Sequence, residues 1–231
     1  MKLAIMQPYF FPYLGYFQLI NCVDTFVIYD NIEFTKTGWI RRNRILNLDR
    51  DRYIVVPLKK ASDYSHVCDL KIAETYDYEK MLRVIKGAYE RSPYFNETFQ
   101  LLKDIIPPTN HHLFDYLFNI TKSLCAYFEI QTNFIISSSI SIDHSLIAQE
   151  KVIALCAALN ADEYINPIGG KPLYDKYSFA KSGIELLFHR MPDITYNQFK
   201  DPFMPNLSII DVMMFNSKGK IKELLNSYEL N

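Results

Sequence analysis

Two hydrophobic rhythms alternate along this chain. Short apolar runs at 3–6, 25–29, 52–57, 133–137, 163–166 and 184–188, bounded by turn-forming residues, read as strands. Between them the apolar positions fall at helical spacing. Asp77 can cap a helix carrying Met81, Leu82, Ile85 and Tyr89, which Pro93 stops. A second helix is predicted over 95–106, ending at Pro107-Pro108, and a third over 111–128 with Leu113, Tyr116, Leu117, Ile120 and Leu124 on one face. Helices follow at 145–159, from Ser208 through Phe215, and over 218–228. Ser208 to Asp211 has the form of a capping box, with Asp where Glu is commoner. The polar stretch 62–76 reads as loop with a short strand at 68–73. Strand–helix alternation at both ends predicts an α/β fold with a mostly parallel, Rossmann-like sheet and helices on its faces. The whole of 1–231 reads as one domain with a helical insertion at about 78–128.

Such sheets bind ligands at the carboxyl ends of their strands. Gln7, Asp30 and Asn166 each stand at such an end, and parallel strands are expected to bring them into one cleft. Gln7 can cap the turn or orient a ligand. Asp30 can cap the following turn or hold a ribose hydroxyl, a substrate amine or a metal; it is the catalytic candidate, as a carboxylate able to accept a proton from a substrate amine. Lys36, Arg41, Arg42 and Arg44 form the densest basic run, read as a loop beside this edge. Arginine suits bidentate contact with phosphate, so Lys36, Arg41 and Arg44 are expected on the anionic part of a ligand, with Asn43 adding a polar contact. Trp39 reads as packed. Gly169 and Gly170, at the rim, form either an ordinary tight turn or a place where backbone N–H groups approach an anion or sugar. They lack Walker-loop spacing. Tyr174 can reach in from the next loop.

Other constellations are weaker. His144 lies near Ser137-Ser138-Ser139, but there is no nucleophile elbow. His111-His112 are adjacent and do not share a helix face, and no metal-binding motif is present, so no metal is expected. The four cysteines lack CxxC spacing, which argues against a zinc knuckle and a disulfide framework. The chain has 25 basic and 26 acidic side chains, so no global charge attracts nucleic acid or an anionic membrane. With 17 Tyr and 16 Phe, a bulky core with tyrosine at its edges is expected. The opening apolar run, broken by Gln7-Pro8, is too short for a signal-peptide core or a membrane span. A cytoplasmic protein is expected.

Several stretches together resemble the WbqC-like family. They are Met6 through Phe17, Val27-Ile28-Tyr29-Asp30, Gly38 through Ile45, Tyr164 through Gly170, Tyr196-Asn197-Gln198 and Leu207 through Asp211. The resemblance implies a setting in bacterial O-antigen and related surface-polysaccharide biosynthesis. There it suggests a transferase acting on a nucleotide-linked amino sugar by N-acyl or aminoacyl transfer, with a nucleotide or acyl donor. The opening strand, Pro-rich turn and helix also resemble HIGH-type nucleotidyltransferases, which implies the alternative of an enzyme that activates a carboxylate with ATP. Tyr13-Leu14-Gly15-Tyr16 departs from that pattern, since both phosphate-binding histidines are tyrosines here. A third reading is a non-catalytic sugar-nucleotide binder.

Overall fold

The computed structural model describes residues 1–48, 50–62, 64–108 and 111–231. In chain order, β1 (Lys2–Met6) leads through an aromatic turn to α1 (Leu14–Asn21) and β2 (Thr25–Ile28). A hairpin of β3 (Arg42–Asn47) and β4 (Arg50–Val55) comes next. Three helices, α2 (Tyr78–Tyr89), α3 (Phe95–Ile105) and α4 (Leu113–Phe128), return the chain to β5 (Asn133–Ile136). Then come α5 (Ala148–Ala158), β6 (Glu163–Pro167), α6 (Lys176–Lys181), β7 (Glu185–Arg190), α7 (Ile209–Phe215), α8 (Lys218–Leu225) and β8 (Glu229–Leu230).

The main sheet has the order β5-β2-β1-β6-β7-β8. Its first five strands run parallel, with Met6 opposite Ile28 and Leu3 opposite Tyr164, and β8 alone is antiparallel. Period-two alternation divides β1 between two cores. Ala4 joins a cluster with Phe17, Phe26, Leu117, Leu124 and Met213, while Leu3 and Ile5 join Val152, Leu155, Tyr164 and Phe179. Helices therefore cover both faces, as an apolar parallel sheet requires. Met81, Ile85, Leu102 and Leu117 of α2–α4 lie in the same cluster as α1 and β2. The 78–128 segment is thus packed into the crossover from β2 to β5. Among the described residues no helix is long and apolar enough to cross a membrane.

Four local readings need correction. The third strand is β4, paired antiparallel with β3 in a separate two-stranded sheet. The basic run is loop only as far as Arg41, because Arg42, Arg44 and their neighbours form β3. There Asn43 and Ile45 point inward while Arg42 and Arg44 stay half-exposed. The charges masked a true alternation. Residues 67–69 form a 3-10 turn rather than a strand, and the last helix ends at Leu225, leaving β8 to pair with β7. The short helix α6 had no counterpart in the sequence pattern.

Candidate functional site

From β1 the chain moves outward to β2 and β5, then returns to place β6 on the other side of β1. The switch point therefore lies between the carboxyl ends of β1 and β6, where open α/β sheets hold ligands. A cleft of about 800 Å³ opens there, lined among others by Gln7, Tyr13, Lys151, Asn166, Gly170 and Tyr174. Of the residues expected at the site, Gln7, Asn166, Gly169, Gly170 and Tyr174 come together in this cleft.

The wall next to β1 is set by an unusual turn. Phe11 has φ of 43°, a left-handed conformation that costs about 1–2 kcal/mol for a residue with a side chain. Its carbonyl accepts hydrogen bonds from Asn43 Nδ2 at 2.8 Å and Ser208 Oγ at 2.9 Å, and Asn43 Nδ2 also bonds the Phe10 carbonyl. Tyr16 donates to the Gln7 carbonyl at 2.9 Å. These bonds hold the turn so that Tyr9 and Tyr13 border the cleft. Asn43 is therefore a buried brace for the turn, although one edge of it borders the adjoining pocket. Tyr16, at the second altered histidine position, is buried and engaged with backbone, so it is not presented to a phosphate.

Opposite, Asn166 is held by its own neighbours. Tyr164 donates to Asn166 Oδ1 at 3.1 Å, and Asn166 Nδ2 donates to the Pro167 carbonyl at 3.1 Å. The 3-10 turn Ile168–Leu173 follows. Gly170 packs against Asn166 so closely that a Cβ would collide with the amide nitrogen, whereas a Cβ on Gly169 meets nothing. Gly170→Ala is expected to cost about 1–2 kcal/mol by breaking the Asn166 bonds. Gly169→Ala should be near neutral. Urea denaturation of the two variants checks this, and equal midpoints would refute the packing role of Gly170.

Asp30 is elsewhere. Its backbone N–H closes a tight turn onto the Ile28 carbonyl. Its buried carboxylate accepts from the Ser138 N–H at 2.9 Å and from Ser138 Oγ at 2.7 Å. It ties β2 to the turn after β5 and does not line the cleft, which corrects its expected place beside Gln7 and Asn166. Lys36 and Arg41 do not line the cleft either. Lys36 is exposed, and the Arg41 carbonyl accepts from the Val56 N–H.

Arg44 occupies a neighbouring pocket of about 300 Å³ lined by Tyr9, Tyr13, Trp39, Asn43, Arg44 and Asn206. Tyr9, Tyr13 and Trp39 border both cavities. Arg44 pairs with Asp51 at 3.2 Å and lies 5.7 Å from the Trp39 ring, and its Nε is buried with no hydrogen-bond partner among the described residues. Trp39 stacks on Tyr53 and is partly exposed.

Sequence reasoning missed the cation at the centre of the cleft. Lys151 is only 5% exposed. Its ammonium bonds the His144 carbonyl at 3.1 Å and lies 5.1 Å from the Tyr29 ring centre. Burial lowers its pKa from the ordinary lysine value, and the Asp30 carboxylate works against that shift. A signal existed, because Lys151 stands four residues before buried Leu155, on the apolar face of α5. His144, which the sequence sets aside for want of a nucleophile elbow, also lines the cleft. Its Nε2 donates to the Ile140 carbonyl at 2.9 Å, so Nδ1 accepts from Asn31 Nδ2 at 2.9 Å. Among the described residues this ring bonds no serine, in keeping with the missing elbow.

The family comparison completes this picture. The model of the WbqC-like protein family matches residues 7–223, which include β1's exit, the hairpin, α5 and the Gly169-Gly170 turn. The chain belongs to the WbqC-like protein family. Within that family it is 27% identical over 227 residues to the uncharacterized protein Rv1507c of Mycobacterium tuberculosis (strain ATCC 25618 / H37Rv), covering 97% of each chain. The WbqC-like match thus spans both walls of the cleft. No solved structure matches the chain.

Proposed function

We propose that this WbqC-like protein is a transferase of bacterial surface-polysaccharide assembly that binds a nucleotide-linked amino sugar at the switch point. Acyl or aminoacyl transfer to the sugar amine is the proposed step. The observation that carries the reading is Lys151, a buried cation among the residues that line the cleft at the ligand-binding edge of the sheet. An ammonium has three donors, and among the described residues one is used, on the His144 carbonyl. The other two suit phosphate oxygens, whose attraction is strengthened where water is excluded. Gln7 and Asn166 offer amides to sugar hydroxyls. The Arg44–Trp39 pocket, which shares Tyr9, Tyr13 and Trp39 with the cleft, suits a planar or anionic end of the same ligand.

Differential scanning fluorimetry with uridine and thymidine diphosphate amino sugars, ATP and acyl-CoA tests this. Nucleotide sugars are expected to raise the melting temperature and to compete with one another. Stabilisation by ATP alone, with pyrophosphate released when a carboxylic acid is added, would replace this reading with adenylyl transfer.

A further inference from the structure

A second chemical feature borders the cleft. Glu33 and His66 form an isolated antiparallel bridge. The flanking bonds run from Phe34 N–H to the Ser65 carbonyl and from Val67 N–H to the Ile32 carbonyl, each 3.0 Å. Glu33 and His66 are therefore a non-hydrogen-bonded pair, the arrangement that brings side chains closest on one side. Both border the cleft. The chain then makes a single 3-10 turn, Val67–Asp69. Two bonds of 3.1 Å hold it, from Asp69 N–H to the His66 carbonyl and from Cys68 N–H to the Asp30 carbonyl.

This turn gathers an imidazole nitrogen of His66, the Cys68 thiol and an Asp69 carboxylate oxygen within 4.8 Å of one another. Small side-chain rotations suffice to bring three such atoms to one ion at bond lengths of about 2.0–2.3 Å. We propose that His66, Cys68 and Asp69 bind a divalent transition metal of the zinc class at the rim of the cleft, with its fourth position open to Glu33 or to a ligand. The donor chemistry selects the metal. A thiolate disfavours magnesium and calcium, while a nitrogen, sulfur and oxygen set suits zinc and cobalt. Three protein ligands and one open position are the pattern of catalytic zinc sites, whereas structural sites are closed by four. The surroundings favour a cation. The Asp69 and Asp30 carboxylates lie near the Cys68 thiol. Those same carboxylates attract a divalent ion, which then displaces the thiol proton. In that step the S–H bond breaks, a sulfur–metal bond forms, and one proton leaves to solvent.

Cobalt titration of the full chain, stripped by a chelator, tests the site. One equivalent of cobalt is expected to produce visible d–d bands and a thiolate charge-transfer band, release a proton in weak buffer, and be displaced by zinc. Zinc should also raise the melting temperature of the wild type. Cys68→Ser is expected to remove the charge-transfer band and the thermal shift. His66→Ala and Asp69→Asn should each weaken cobalt binding by more than the roughly 10–100-fold that loss of an outer-shell partner costs. All three positions are partly or fully exposed, so the variants should fold, and circular dichroism verifies this. Absence of cobalt binding at micromolar protein, or bands that persist unchanged in Cys68→Ser, would overturn the proposal. The assay contains no sugar or nucleotide, so its outcome is independent of the transferase reading.

Discussion

Lys151→Met is expected to weaken the binding of a nucleotide-linked sugar by roughly 1.5–3 kcal/mol, the value of a hydrogen bond to a charged group. That is about a ten- to hundredfold loss of affinity. The fold should not suffer with it. Met keeps most of the length of the side chain, and the change removes a charge held in a desolvated site. The pH dependence carries the matching sign. A lysine whose folded pKa lies below its unfolded value binds fewer protons folded than unfolded between the two. Its charge therefore weighs fully on the folded state below the lowered value, and that burden is relieved as pH rises towards the ordinary value of 10.5. Lys151→Met should remove this component, leaving stability flatter with pH in that alkaline window. Calorimetric titration and urea midpoints on the same samples separate the two effects. Unchanged affinity with lost stability would make Lys151 a structural residue and remove the main support for the proposed ligand.

The largest loss of stability is expected from Asp211→Ala. Asp211 is fully buried at the start of α7. Its carboxylate accepts from Tyr89 OH at 2.8 Å, Tyr196 OH at 2.7 Å and Gln198 Nε2 at 2.8 Å. Tyr89 in turn accepts from the Leu46 N–H at 2.8 Å, and Gln198 also bonds both backbone groups of Met204. One carboxylate thus joins the hairpin, α2, α7 and the segment leading to Asn206 beside the Arg44 pocket. Removing it strands the buried Tyr89 hydroxyl, takes the acceptor from the part-buried Tyr196 hydroxyl and leaves Gln198 with its Met204 bonds alone, for an expected cost on the order of 3–5 kcal/mol. Burial raises the Asp211 pKa above 3.8, against the three hydrogen bonds that lower it. The folded chain therefore holds more proton than the unfolded one just above that pH. This residue's contribution is full below 3.8 and declines as pH rises through the folded value. Urea denaturation of wild type and Asp211→Asn across the acid range checks the sign. A steeper decline with rising pH in the variant would contradict it.

Much of the fold was legible because its strands and helices carry strong, different periods. The strands of the main sheet up to β7 and all three helices of the 78–128 segment have counterparts in the hydrophobic pattern. β3 was obscured because its outward positions are arginines, and charge was given more weight than the inward Asn43 and Ile45. α6 and β8 are short, so their local signal is weak and neighbouring contacts decide them. At the cleft, Gln7 and Asn166 could be placed because they directly follow or end adjoining parallel strands.

The sequence by itself determined the class of fold, the strand ends and the edge at which a ligand belongs. Those depend on periodicity, which records which way a residue faces within its own element. Only the tertiary structure decided which polar groups meet there. Asp30 stands at a strand end, yet its tight turn directs the carboxylate to Ser138. Lys151 comes from a distant helix and reaches the cleft because α5 packs its apolar side on the sheet. A side chain's partners depend on where other elements are stacked, and that is settled when long-range packing closes both faces of the sheet.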